Sequence, residues 1–170
     1  MRKVIITEAV PGAGKTESIV KMINDNLAEG KSPESIYAVT FTREAAGSLS
    51  TRTGGKVNSS TIHSLAYKIV YGTDMPDNEY GEFSYDELLD KAITITKSEI
   101  FTNEIKISLL AIDEAQDLTP IQYSFLSNLS ECAETTYLVG DNMQSIYGFN
   151  LSDPNLMHLF GKRSNVETLS

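Results

Sequence analysis

Ala9-Val10-Pro11-Gly12-Ala13-Gly14-Lys15-Thr16 has the residue types and spacing to hold a chain of phosphates. It follows the pattern GxxxxGK[ST], with Ala9 in place of the first glycine. Around Pro11 and Ala13, Gly12 and Gly14 let backbone N–H groups curl about phosphate oxygens, and the helix N-terminus adds its partial positive charge. Lys15 reaches the outer phosphates and Thr16 offers a hydroxyl to Mg²⁺. The inert alternative is a glycine turn beside a solvated lysine. A dinucleotide fingerprint GxGxxG fails, because Glu17 occupies the third glycine position.

Such a loop needs a partner acid. Leu109-Leu110-Ala111-Ile112-Asp113-Glu114 supplies a candidate at the end of an apolar strand. Asp113 is placed to hold Mg²⁺ directly or through water. Glu114 is placed to orient and deprotonate a water for attack on a γ-phosphate, which favours hydrolysis over transfer to a hydroxyl. Two solvated loop acids are the bland reading of the pair. The roughly 100 residues from Lys15 to Asp113 are expected to be bridged by adjacent strands of one parallel sheet.

The elements that must carry these motifs can be read from periodicity. Lys3 to Thr7 reads as a buried strand feeding the glycine loop, and Ile19, Val20, Ile23 and Leu27 mark one face of a helix that Gly30 can end. Ser35 to Phe41 reads as a strand and Arg43 to Arg52 as a helix, broken by Gly54-Gly55. Lys56 to Ser59 is a short strand candidate, and Ile62, Leu65, Ala66, Ile69 and Val70 have helical spacing. Residues 72 to 83 form a polar, acidic loop, and Ser84 with Glu87 starts a helix carrying Leu88, Leu89, Ala92 and Ile93. Ile107 to Ile112 is an apolar strand of the kind buried on both faces. Thr119-Pro120-Ile121-Gln122 opens another helix, and Thr135 to Val139 is a further strand. Strands alternating with helices imply a three-layer α/β architecture with a parallel sheet flanked by helices on both faces.

Composition narrows the classes further. The chain has 170 residues with 41% hydrophobic and 22% charged, enough for one globular core and against disorder. A net charge of −9 argues against a protein that coats nucleic acid non-specifically. The charge is uneven: residues 1 to 68 carry nine basic and six acidic side chains, while 69 to 90 carry seven acids and no Lys or Arg. No apolar run is long enough for a membrane span or a secretory leader. Cys132 makes no internal disulfide, and with His63 and His158 it gives no metal-ligand spacing. A reducing cytoplasm is the expected compartment.

With these motifs in place, the chain resembles the first RecA-like domain of superfamily 1 DNA helicases of the UvrD/Rep type. Beyond the phosphate loop, Tyr37 to Ala46, with Thr40-Phe41-Thr42-Arg43, looks like that family's motif Ia, and Ser60-Thr61-Ile62-His63-Ser64-Leu65 looks like the Thr-Phe-His-Ser segment after it. Asp113-Glu114-Ala115-Gln116-Asp117 has the spelling of motif II, and Val139 to Phe149, with Gln144, resembles motif III. The resemblance implies a P-loop NTPase with ATP and Mg²⁺ as cofactors. Its nucleotide site would hold Pro11, Gly12, Ala13, Gly14, Lys15, Thr16, Glu17 and Gln116, with Mg²⁺ on Thr16 and Asp113. Catalysis would fall to Lys15, Glu114 and Gln144, the last reporting the γ-phosphate, while Gln116 would tie the nucleotide to the DNA site. Thr40, Phe41, Thr42, His63, Tyr147 and Phe149 would face single-stranded DNA in a protein of DNA repair or replication, where aromatic faces stack on bases of any sequence.

The departures from that family are informative. Only eight residues precede Ala9, so the family's upstream adenine-reading glutamine segment is not expected within them, and Glu17 stands where a basic residue commonly packs on adenine. Asn150 stands where motif III usually continues with Arg. A short acidic insertion at about 71 to 106 takes the place of the family's large accessory subdomain, and Asn165 to Ser170 looks like the strand leading into motif IV. The expectation is a single RecA-like domain whose second RecA-like domain, the usual source of arginines for the γ-phosphate, acts in cis or in trans. A nucleotide- and DNA-binding module without its own catalysis is the alternative. A P-loop kinase is less favoured, since no Arg-rich substrate lid is present. No membrane partner is expected, and the sequence leaves the oligomeric state open.

Overall fold

In the computed structural model of the chain, residues 2–8, 14–75, 83–140 and 167–169 are described below. The phosphate-loop residues Pro11, Gly12 and Ala13, and Gln144, Tyr147 and Phe149 of the motif III segment, lie outside them.

Among the described residues six strands run parallel: β1 (Lys3–Glu8), β2 (Ile36–Thr40), β3 (Asn58–Thr61), β4 (Ile107–Ile112), β5 (Ala133–Gly140) and β6 (Glu167–Leu169). Their order across the sheet is β3-β2-β4-β5-β1-β6. The strands that end in the phosphate loop and in Asp113 are therefore not neighbours. This corrects the expectation of adjacent strands: β5 pairs with β1 through Thr7↔Val139 and with β4 through Ile112↔Leu138. The strand of motif III is thus wedged between the two.

Among the described residues there are six helices: α1 (Lys15–Ala28), α2 (Arg43–Arg52), α3 (Ile62–Tyr71), α4 (Tyr85–Thr96), α5 (Glu99–Glu104) and α6 (Pro120–Glu131). Strand alternation divides the core into two clusters. Ile5, Ala38, Leu109, Ala111, Tyr137 and Val139 pack with Ile19 and Ile23 of α1 and Leu49 of α2. Val4, Ile6, Val39, Leu110, Ile112 and Leu138 pack with Leu65 of α3, Leu89 of α4 and Leu126 of α6. All six residues of β4 are buried, the signature of a strand covered on both faces. The expected α/β architecture with helices on both faces is what the chain adopts.

Local chemistry sets the helix ends. Gly30, at φ 89°, ends α1: its N–H donates to Leu27 O at 3.1 Å, and the Lys31 N–H donates to Asn26 O at 3.1 Å. Those two bonds close carbonyls that the last helical turn leaves open, in a conformation glycine adopts without strain. Further along the chain, Thr119 and Gln122 cap α6 reciprocally.

Several strand bounds shift from the sequence expectation, among them β5, which runs from Ala133 to Gly140 rather than from Thr135 to Val139. Pro33 draws Ser35 into a short 3-10 turn, so β2 starts at Ile36. Val57 enters the core before pairing begins, so β3 starts at Asn58 rather than Lys56. Helix α5, capped by Ser98, carries too few apolar residues to announce itself in the sequence. Within the acidic stretch, α4 is a core helix, with Leu88, Leu89 and Ala92 buried against α3 and α6.

Candidate nucleotide site and strand-end groove

Lys15 is the first residue of α1, preceded by Gly14 at φ 54°, and no side chain caps the helix. A helix start of this kind presents backbone N–H groups and a partial positive charge suited to anions. The Lys15 ammonium donates to Glu114 Oε1 at 3.2 Å, bringing together two motifs 99 residues apart. Glu114 Oε2 accepts from Gln116 Nε2 at 2.6 Å. Asp113, buried at 8% exposure, directly follows β4: its N–H donates to Val39 O at 3.0 Å, and its Oδ1 accepts from the Glu114 N–H at 2.8 Å.

Glu114 has φ 53°, and it is the one non-glycine with positive φ among the described residues. That conformation costs a side-chain-bearing residue on the order of 1–3 kcal/mol and collects at functional sites. It turns the chain sharply at the strand end, so that Asp113 and Glu114 diverge and Gln116 folds back onto the Glu114 carboxylate. Immediately after, Ala115–Asp117 forms a 3-10 turn, anchored where the Tyr123 hydroxyl donates to Ala115 O at 3.3 Å. Burial pushes the Tyr123 phenol far above its ordinary pKa, so it stays a donor.

Among the described residues no group of three or more His, Cys, Asp or Glu could cage a metal. Mg²⁺ needs no such cage, since it keeps several waters and binds through one or two protein oxygens plus substrate phosphates. A strand-end carboxylate with one oxygen fixed by a backbone N–H, across from a lysine-bearing helix start, fits that requirement. Thr16 is half-buried beside Lys15, while Glu17 is exposed and paired with Arg52 at the end of α2. Nothing in the sequence links the first turn of α1 to the last of α2, so that ion pair is legible only in the fold.

The motif Ia residues divide into support and surface. Thr40 is buried at 2% exposure and its Oγ1 donates to Thr42 O at 3.0 Å. Expected to face DNA, it instead shapes the turn from within, because β2 is covered on both faces. Thr42 is exposed, and its Oγ1 caps α2 by accepting from the Ala45 N–H at 3.1 Å. Phe41 packs partly against the core yet opens on a cavity of about 510 Å³ that it shares with Arg43, Thr61, His63, Met75 and Tyr85. His63 is half-buried, two residues past Thr61, whose Oγ1 caps α3 by accepting from Ser64 N–H at 3.0 Å. Burial first and the Arg43 charge second hold the His63 imidazole below its ordinary pKa. The structure thus brings Phe41 and His63 together and adds Arg43 and Tyr85, neither of which the sequence marks as a contact.

Residues 1–150 match the AAA domain family. The chain belongs to it. This AAA domain is 28% identical to the Gabija protein GajB of Bacillus cereus (strain VD045), over 88% of this chain and 39% of that protein. It is 26% identical to the putative ATP-dependent DNA helicase YjcD of Bacillus subtilis (strain 168), over 56% of this chain and 13% of that one. It is 28% identical to an ATP-dependent helicase/nuclease subunit of Listeria monocytogenes, over 76% of this chain and 11% of that protein. The AAA domain therefore spans well under half the length of these relatives. Its likeness to the first RecA-like domain of UvrD/Rep-type helicases stands on the family match and on these relatives together. No helix among the described residues is long and apolar enough to cross a membrane.

Proposed function

We propose that this AAA domain is the ATP-binding half of an ATP-dependent single-stranded-DNA translocase or helicase. The observation that carries the reading is the 3.2 Å contact between Lys15 and Glu114. It sets a phosphate-seeking cation against a carboxylate whose other oxygen is held by Gln116. When the phosphates of ATP take the Lys15 ammonium, Glu114 gives up that partner and becomes available to a water. The carboxylate accepts the proton of that water as its oxygen bonds the γ-phosphorus. The bond to the β–γ bridging oxygen breaks, and ADP leaves with the electron pair. Thr16 and Asp113 would hold Mg²⁺, which neutralises phosphate charge. Gln144 is the candidate reporter of the γ-phosphate, and Gln116 its link to the DNA groove.

Phe41, Thr42 and His63, with Tyr147 and Phe149 of the motif III segment, are the proposed contacts for single-stranded DNA. A second RecA-like domain, in cis or in trans, would complete the ATP site. Among the described arginines, Arg43 lines the groove, Arg52 is paired with Glu17, and Arg2 lines a cavity with Ala133 at the start of β5, the opposite end of the strands. Arg52 thus reaches the first turn of α1, but there it is held by Glu17. The lone Cys132 fits a reducing, cytoplasmic setting.

Calorimetric titration with a non-hydrolysable ATP analogue and Mg²⁺ tests the reading. Wild type should bind, and Lys15→Ala should lose most of the affinity while keeping its melting transition. Equal affinity in a folded Lys15→Ala variant would reduce the loop to a structural turn.

A further inference from the structure

Tyr85 belongs to none of the motifs, yet it forms a wall of the cavity that Phe41 and His63 open on. We propose that Tyr85 is a base-contacting residue: with Phe41 and His63 it lines a pocket for one unstacked nucleobase of a bound single strand, and Gln122 holds it there. This rests on the single-strand reading above.

The orientation of Tyr85 is set at the start of α6. The Thr119 N–H can only donate, so the Gln122 atom 2.9 Å from it is the amide oxygen, which fixes the orientation of that amide. Its Nε2 then points the other way and donates to the Tyr85 hydroxyl at 2.8 Å. Tyr85 is the acceptor in that bond, and its own proton remains to be donated. Among the described residues no acceptor for it occurs, so it is available to a carbonyl or ring nitrogen of a base. The ring meets His63 edge-on, with centroids 4.9 Å apart and planes at 64°. A phenol held by an amide at one end and an imidazole at its side keeps little rotamer freedom, so binding a base costs little further ordering.

The surroundings fit a nucleotide better than a free aromatic ligand. A volume of about 510 Å³ accommodates a base with room for its sugar. Arg43 offers a cation for the phosphate. A second cavity of about 460 Å³ shares Arg43, Thr61 and Met75 and continues past Ser60, Ser64 and Lys68. A polynucleotide backbone can therefore leave the aromatic pocket along a hydroxyl-lined trough beside β3. Stacking on aromatic faces tolerates every base, as sequence-independent movement requires.

Fluorescence anisotropy of the 170-residue chain with labelled oligothymidylate, and with an abasic strand of the same length, reads the pocket directly. Wild type should prefer the base-bearing strand by roughly 5- to 150-fold, the factor that about 1–3 kcal/mol of stacking gives. Tyr85→Ala should erase most of that preference and leave abasic binding unchanged, while Tyr85→Phe keeps most of it. Photocrosslinking of wild type to a strand carrying 5-iodouracil should label the peptide that contains Tyr85, and this needs no folded variant. If wild type binds both strands equally and no crosslink reaches Tyr85, the pocket is refuted while the single-strand reading survives. If wild type binds neither strand, both fall together.

Discussion

The Glu114 carboxylate joins Lys15 on one oxygen, at 3.2 Å, and Gln116 on the other, at 2.6 Å, while its own backbone sits at φ 53°. The strained turn and the two bonds belong together. A relaxed backbone at residue 114 would leave the strand in extended geometry and carry the carboxylate away from Lys15. Strain is tolerated here because the flanking Asp113 N–H and Ala115 O are both held, by Val39 O and by the Tyr123 hydroxyl.

Function and stability should therefore separate at Glu114. Glu114→Gln keeps the side-chain shape, so nucleotide binding should persist while any phosphate release falls by orders of magnitude. Glu114→Gly relieves the positive φ, so its denaturation midpoint should match or exceed wild type despite the lost bonds. Urea unfolding alongside a phosphate-release assay checks both. A large loss of stability in Glu114→Gly would show that the ion pair, which is part-exposed, outweighs the strain.

His63 gives a pH dependence whose sign is fixed. Its folded pKa lies below the ordinary 6.5, through burial and then the Arg43 charge. The unfolded chain takes up the proton first as the solution is acidified. The stability tied to neutral His63 is intact above about pH 6.5 and falls with pH below it, levelling once the folded form is also protonated. Urea midpoints at about pH 7.5 and about pH 5.5 should differ more for wild type than for His63→Gln. Equal drops in both would assign the loss to carboxylates. Below its folded pKa, where the imidazole is charged, single-strand affinity should rise through attraction to the strand's phosphates.

Thr119 supports two structures at once. Its hydroxyl caps α6 and its N–H orients Gln122. Thr119→Ala should cost about 1 kcal/mol, the usual loss for a helix cap. Thr119→Pro, which removes the N–H as well, should additionally loosen the Gln122 contact with Tyr85. Thermal melts give the first effect, and the preference for base-bearing over abasic strands gives the second.

How far the sequence could reach depends on the range of the interaction. Helix α2 is legible to its last residue because Thr42 and Gly54 are local signals that bracket it, and β4 is legible because six buried residues in a row leave no other role. The chemistry proposed for Lys15, Asp113 and Glu114 rests on type and spacing, to which the fold adds the Lys15–Glu114 contact. Strand order does not, since the wedge of β5 between β1 and β4 is decided by pairing across the whole chain. The same limit hid Tyr85. Its partners Gln122 and His63 lie 37 and 22 residues away and carry no pattern that links them. Thr40 shows the converse, for a residue that spells a surface motif can still face inward when both sides of its strand are covered.

Lys15, Thr16, Asp113 and Glu114 can position phosphates, a metal ion and a water, but charge building on the γ-phosphate in the transition state calls for a second cation. Arg43 and Arg52 are committed to the groove and to Glu17. An arginine supplied by a partner domain is worth about 10³–10⁵ in turnover. The 170-residue chain by itself should therefore hydrolyse ATP slowly, respond little to single-stranded DNA, and fail to unwind a duplex. Adding the second RecA-like domain, fused or in trans, should raise turnover by orders of magnitude, because preorganised charge at the reacting phosphate is the largest single contribution to such catalysis. Steady-state phosphate release decides the matter. Robust DNA-stimulated turnover by the chain alone, lost in Glu114→Gln and dependent on protein concentration, would instead mean that a second copy lends its arginine across an interface.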